Sequence, residues 1–384
     1  MRKGNANKVI PVLMSVAMCP MMLPTAALAA DDGAAAGTSS TIEQAQPADQ
    51  AETSSAGASS GTTSATQSKA AGATAASNES AAPAAATNEA AAPVAETGGE
   101  GTEAAVAEVN GTKYSSLQAA INAAQDGETV KLLADAAEDV AISKSITLDL
   151  GGKTLKNTNA GKATISVQSG TVTVKNGNVM GGTSYYNIEV TKGSNANLTL
   201  ANVTATAGNT GSSMIDNWGT LTIESGTYTG GLNVVKSEEG SKLTITGGTF
   251  TLDYAPSYGY TAVILVYGDT TISGGEFVQT ATPKWGYPQV VMTGVVEGYT
   301  SFTRVTGGHF TNKKSGDNIF HGYGKATSDN FEVSGGTFNK SISDGYCADG
   351  FIPAKNADGT YGVKEGSYVA GVGSKKYETL ADAI

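Results

Sequence analysis

Few side chains in this 384-residue chain are of the kinds that do chemistry, and their spacing spreads them thinly. It has two histidines, His309 and His321, and beyond the first thirty residues a single arginine, Arg304. Cleaving a glycosidic bond by hydrolysis takes two carboxyl groups about 5 to 9.5 Å apart, one to protonate the leaving oxygen and one to attack or activate water. A lyase takes a basic side chain beside carboxylates that hold calcium. Neither histidine has a partner at metal-ligand spacing. No phosphate loop, G-x-S-x-G elbow or EF-hand pattern occurs. The sequence therefore calls for no metal and no cofactor.

The better lead is planar and apolar. Aromatic residues gather in three long segments, Leu252–Tyr260, Gln279–Tyr299 and Asn312–Asp329. Tyrosine and tryptophan rings stack on the C–H faces of sugars, and binding residues concentrate on loops carried by a rigid scaffold. Tyr254, Tyr258, Tyr260, Trp285, Tyr287 and Tyr323 are accordingly the candidate ligand-binding residues. The alternative is that each ring packs its own loop against the scaffold. His321, in Ile319-Phe320-His321-Gly322-Tyr323, sits where it could touch the same ligand, whereas His309 reads as a solvated turn residue.

What would position these side chains is a phrase written five times: LTIESGTY from Leu221, LTITGGTF from Leu243, TTISGGEF from Thr270, TRVTGGHF from Thr303 and FEVSGGTF from Phe331. Aligned on Ile223, Ile245, Ile272, Val305 and Val333, each has a glycine three residues on and an aromatic five residues on. Weaker copies centre on Leu150, Val174 and Leu200. A period in the twenties, with a short alternating strand in each copy, is the mark of a solenoid whose units cannot bury an apolar face alone. Period-two alternation turns the aliphatics inward and Thr173, Thr199, Thr222, Thr244 and Thr271 outward. A helical repeat is excluded by the Thr/Val/Ile content and by paired glycines, each costing roughly 1 kcal/mol inside a helix.

On that alignment the outward file just before the central aliphatic runs Asp149, Thr173, Thr199, Thr222, Thr244, Thr271, Arg304, Glu332. Its two acids stand at opposite ends, which is poor geometry for a hydrolase. Arg304 and Glu332 on neighbouring rungs read as a cross-strand ion pair. Loop acids such as Asp253, Asp317 and Asp329 are left as the residues that could still converge.

The flanks are simpler. Residues 1–29 have a basic start, an apolar stretch and Ala27-Leu28-Ala29, the pattern of a secretory signal peptide. Residues 30–105 are rich in Ala, Ser, Thr, Gly and Glu with almost no aliphatic side chain, so burial cannot offset chain entropy and a disordered stalk is expected. The formal charge of −11 is concentrated in that linker, so the rest gives no electrostatic case for nucleic acid or an anionic membrane. Cys347 is left without an internal partner and reads as a small apolar residue. From Val109 a tight hairpin at Asn110-Gly111 and a helix from Ser115 or Ser116 to Gln125 would cap the open end of the solenoid. A closing hairpin is expected around Asp358-Gly359. Gly371–Ile384 then restates the opening phrase, each residue offset by 263 positions, so 106–366 is one β-helix domain and 367–384 the start of a second, similar module.

The opening YSSLQAAINAAQDGETVKLLAD, the following ISKSITLDLGGKTL, the Gly-Gly-x-Phe rungs and the closing GYCADGFIPAKNADGTYGV resemble the right-handed parallel β-helix modules, pectate-lyase-like in architecture, of large surface proteins of Gram-positive bacteria. The resemblance covers roughly 106–384. It implies an all-β, single-stranded right-handed parallel β-helix of roughly eight to ten coils with an N-terminal capping helix. It also implies a secreted or cell-surface protein engaging an extracellular glycan or host surface ligand without catalysis. Some proteins of that architecture are polysaccharide lyases or hydrolases, and a structural spacer is the third possibility; fold alone does not choose among them.

Overall fold

The computed structural model describes residues 104–384. The signal peptide expected at 1–29 and all but the last two residues of the linker expected at 30–105 lie outside the described residues. Within them the chain winds as a parallel β-helix of about eight turns, and no helix is long and apolar enough to cross a membrane.

Each turn carries up to three short strands, which stack into three faces. Face A holds the first strand of every repeat, from Thr129–Leu132 through Thr220–Ile223 to Phe331–Val333. Face B holds the aromatic-bearing strand after the glycines, for example Gly226–Thr229, Thr249–Leu252 and Glu276–Gln279. Face C is a sheet of eight strands from Val140–Ile142 to Phe320–Tyr323. It was not foreseen, and it divides what reads in sequence as one insertion: the strand Tyr287–Gly294 runs through Gln279–Tyr299, and Tyr260–Val266 follows directly on Leu252–Tyr260.

Register is set by side chains that must stay inside. On face A, Leu198, Leu221 and Leu243 stand in one file and Leu200, Ile223, Ile245 and Ile272 in the next, all buried. The expected threonine file between them is present, Thr173↔Thr199↔Thr222↔Thr244↔Thr271. One rung differs. Leu148, not Leu150, pairs with Val174, so the file before the central aliphatic begins with Thr147 and Asp149 stands opposite Lys175, with 3.9 Å between their charged atoms. Ile146, Leu148 and Leu150 are all buried, and a slip of two residues preserves which side chains face inward, so alternation alone could not choose among them.

The aromatic file on face B turns inward. Tyr228, Phe250, Phe277, Phe310 and Phe338 form a continuous column with neighbouring ring centroids 4.8 to 5.4 Å apart. Burial of each ring contributes roughly 1.5–3 kcal/mol, with a further 0.5–1.5 kcal/mol from the offset stack. Tyr228 keeps its hydroxyl satisfied by donating to the Ser225 carbonyl at 3.0 Å.

The ends are closed as the sequence predicts. Asn110 and Gly111 take positive φ of 49° and 81° in the tight turn joining Ala107–Val109 to Thr112–Tyr114. The helix Leu117–Ala123 is capped by Ser116, whose hydroxyl accepts from the Ala119 amide at 3.2 Å. Glu138 accepts from the amides of Leu117 and Gln118 at 2.7 and 3.0 Å, while Lys144 donates to the carbonyls of Asn122 and Ala124 at the other end, both matched to the helix dipole. At the far end Phe351–Lys355 and Tyr361–Glu365 form the antiparallel closing hairpin. Beyond it Ala370–Val372 and Lys375–Tyr377 repeat the opening hairpin register for register, followed by a helix at Leu380–Ala383. In the first copy Leu117 is buried; its counterpart Leu380 is 64% exposed.

Candidate functional site

The side chains with functional potential lie on the outer surface of face C. Its outward file reads Ala141, Ser166, Glu189, Asp216, Lys236, Leu265, Met292, His321, one residue per turn and all in register. Polar chemistry occupies the N-terminal part of the file and apolar chemistry the C-terminal part. Parallel strands lie about 4.8 Å apart, so each residue is a direct neighbour of the next.

At the C-terminal end the long loops bring three of the six predicted aromatics together. Tyr260 stacks on Tyr287, with centroids 5.2 Å apart and planes 26° from parallel, and on its other side meets His321 at 4.8 Å and 17°. Tyr323 packs edge-on against Tyr260 at 5.5 Å. The group rests on buried Ala262, Leu265 and Met292. It assembles because Tyr260 and Tyr287 are register partners at the starts of adjacent strands, and His321 and Tyr323 lie on the next strand over. Lys314 sits 5.2 Å from the Tyr287 ring and pairs with Asp317 at 3.2 Å. Burial holds His321 below the usual imidazole value, opposed by nearby Asp317, so the ring is predominantly neutral at pH 7. Burial, with the neighbouring tyrosines and Asp317, raises the Tyr260 phenol.

The other three candidates stand apart from this cluster. Tyr258 is 72% exposed at a loop tip, Trp285 is half exposed with Lys284 over its ring at 4.9 Å, and Tyr254 is half-buried in its loop. Of the loop acids, Asp317 reaches the cluster through Lys314.

Toward the N-terminal end is a cavity of about 280 Å³ lined by Ser166, Glu189, Gln168, Tyr185, Lys162 and Asp139, among others. Glu189 is half-buried there, and desolvation raises its carboxyl above the ordinary value despite a long contact from the Ser166 hydroxyl at 3.5 Å. Asp139 is engaged structurally, accepting from the Asn157 amide at 2.6 Å and from Thr158.

Between the two ends lies a buried charged cluster that sequence reasoning missed. Asp216 is fully buried and Glu238 nearly so. Lys236 Nζ lies 2.5 Å from Glu238 Oε1, and Trp218 Nε1 donates to Asp216 Oδ2 at 2.7 Å. Lys192 Nζ lies over the Trp218 ring at 3.8 Å and reaches Glu239 at 3.4 Å. Burial, and then the Glu238 charge, push the Asp216 carboxyl up to about 8. The only sequence signal was an acid and a base in equivalent places of two three-residue strands, Ile215–Asn217 and Val235–Ser237.

Comparison with protein-family models, with curated proteins and with solved structures finds no match for this chain.

Proposed function

We propose that the protein is a secreted or surface-displayed β-helix that binds an extracellular glycan without transforming it, through the ring cluster of Tyr260, Tyr287, Tyr323 and His321. The observation that carries this reading is the convergence of aromatics from three consecutive turns into one stack at the loop-rich end of face C. Rings held by a rigid sheet lose little freedom on binding, so stacking and hydrogen bonds from the phenols go into affinity. Trp285 and Tyr258, exposed on the flanking loops, extend the surface on which a sugar chain would lie. The resemblance of the opening and closing phrases to modules of Gram-positive surface proteins, and the signal-like first 29 residues, support display outside the cell. A glycan array on the purified protein tests the reading. Tyr287→Ala is expected to weaken binding by about tenfold, corresponding to ~1.4 kcal/mol, with the fold unchanged by circular dichroism. Retained binding in both Tyr287→Ala and Trp285→Ala would remove the assignment of this site.

A second reading, carbohydrate cleavage, draws on the cavity around Glu189. A carboxyl group raised by burial is what a general acid needs. Its neighbour in the file, Asp216, is fully buried and closed to substrate, and the second acid lining the cavity, Asp139, is held by Asn157 and Thr158, so neither stands as the free paired carboxyl a glycosidase requires. Release of reducing ends or unsaturated products from pectin, mucin or glycosaminoglycans, abolished by Glu189→Gln, would replace the binding reading with this one.

A further inference from the structure

The charged cluster beneath Trp218 is an odd thing to bury in a solenoid. Every other rung of face C is occupied on its outer surface by an apolar, neutral or partly exposed side chain. At Asp216 and Lys236 an acid and an amine are instead placed on adjacent turns, in direct register, with Asp216 fully buried and the Lys236 side chain 19% exposed. A buried ion pair is a weak source of stability, because desolvation offsets most of the attraction. Here the arrangement is unbalanced as well: the lysine pairs with Glu238, whose charge also bears on Asp216, and Asp216 Oδ1 finds no hydrogen-bond donor.

Lys236 and Asp216 are register partners on strands about 4.8 Å apart, and Glu238 lies on the amine. We propose that Lys236 and Asp216 join in an intramolecular amide bond across neighbouring turns, with Glu238 as the proton-transfer group. The carboxyl that burial keeps largely un-ionised at neutral pH is Asp216, and an un-ionised acid is the electrophilic form. Glu238 Oε1, 2.5 Å from Nζ, is placed to take a proton from the ammonium and expose the nitrogen lone pair. Nζ then forms a bond to Asp216 Cγ. The Asp216 hydroxyl leaves as water, its oxygen protonated within the cluster, and the amide retains one hydrogen on nitrogen. The one proton left over remains on Glu238, which gives it up to solvent. No oxidant, cofactor or metal enters the balance. Trp218 Nε1, donating to Asp216 Oδ2, polarises the carbonyl that receives the nitrogen. The full burial of the Asp216 carboxyl also favours condensation over hydrolysis, since water is both the leaving group and the reverse reactant.

Peptide mass spectrometry on the full-length protein tests the proposal. Trypsin cleaves after Lys192, Lys236 and Lys242 in the unlinked chain, but not after an acylated Lys236. The expected product is therefore the peptide 193–242, lighter than its sequence mass by one water. Adding chymotrypsin, which cuts after Trp218 and Tyr228, should leave the segments bearing Asp216 and Lys236 still joined. Glu238→Gln is expected to lower the linked fraction at least tenfold. Lys236→Arg should abolish it while retaining the positive charge. Recovery of the peptide 193–236 at full sequence mass would overturn the proposal. So would loss of water at Asp216 with Lys236 still cleavable, the signature of a local imide with Asn217. The wild-type peptide map decides even where a variant fails to fold.

Discussion

The two halves of this solenoid solve one problem, turning a corner between faces A and B, with different residues. After a first corner at Gly151-Gly152, two turns of the N-terminal half use asparagine: Asn176 and Asn202 sit in the left-handed region at φ 58° and 56°, and the strand runs on through the bend as Thr171–Met180 and Asn197–Thr206. In the C-terminal half it is glycine: Gly226, Gly248, Gly275, Gly308 and Gly336 have φ between 103° and 128°, and the strand breaks. The core follows the corner. The inward file that holds Val179 and Ala205 on the asparagine side becomes Tyr228 and then four phenylalanines on the glycine side. The physical link is contact. The Phe250 ring lies against its own glycine two residues earlier, so that a Cβ on Gly248 would sit 3.3 Å from Phe250 Cε2. A large ring thus crowds any side chain at the corner, and the smaller Val179 and Ala205 go with an asparagine there. The charged pair Asp216 and Lys236 spans the turns on either side of this change.

The comparison is broken most severely by removing a ring. Phe277→Ala leaves a cavity within a continuous stack and is expected to cost about 3–5 kcal/mol, read as a lower urea midpoint at unchanged slope. Val179→Ala in the same file on the asparagine side removes two methyls and should cost roughly half of that. Equal costs would mean that a stacked ring contributes no more to stability than two methyls.

Exchanging the corners sharpens it. Asn202→Gly keeps a permitted φ and gives up the hydrogen bond from Asn202 Nδ2 to Asn176 Oδ1 at 3.3 Å, so a loss below ~1 kcal/mol is expected. Gly248→Asn places a side chain at φ 104°, beyond the left-handed well, and against a ring, so about 2 kcal/mol is expected. Thermal melts of the two variants measure the asymmetry directly.

The smallest effect belongs to the outward ion pairs. Arg304 and Glu332 meet at 2.9 Å on the glycine side and Lys175 and Asp149 at 3.9 Å on the asparagine side, all substantially exposed. Arg304→Ala and Lys175→Ala should each cost under ~1 kcal/mol, less in high salt, and should not differ between halves.

What the sequence disclosed follows the same division. Faces A and B were legible because one phrase recurs with its glycine and aromatic at fixed offsets, so period and alternation together imply stacking. The first rungs were misplaced by two residues because Ile146, Leu148 and Leu150 offer three equivalent inward positions. Face C was not legible. Its first five strands are three residues of changing type, among them Ile-Ser-Val, Ile-Glu-Val, Ile-Asp-Asn and Val-Lys-Ser, reached after loops of different length, so no offset repeats. Loss of that face hid Asp216 and Lys236, twenty residues apart in the chain and neighbours only once the turns stack. It also hid why Tyr260 and Tyr287 meet while Tyr254 and Tyr258, equally aromatic and equally loop-borne, stay outside the cluster.

The claim beneath all of this is that every turn advances the helix by one strand spacing, whatever its length in residues. Spin labels placed pairwise on the outward file of face A measure that advance. With one label at Thr173 and the second at Thr271, Arg304 or Glu332, four, five and six turns on, distances of about 19, 24 and 29 Å are expected between backbone positions. Equal increments for the turn from Thr271 to Arg304 and the shorter one from Arg304 to Glu332 would bear out the stacked register; distances that scale with residues traversed, or that level off, would contradict it.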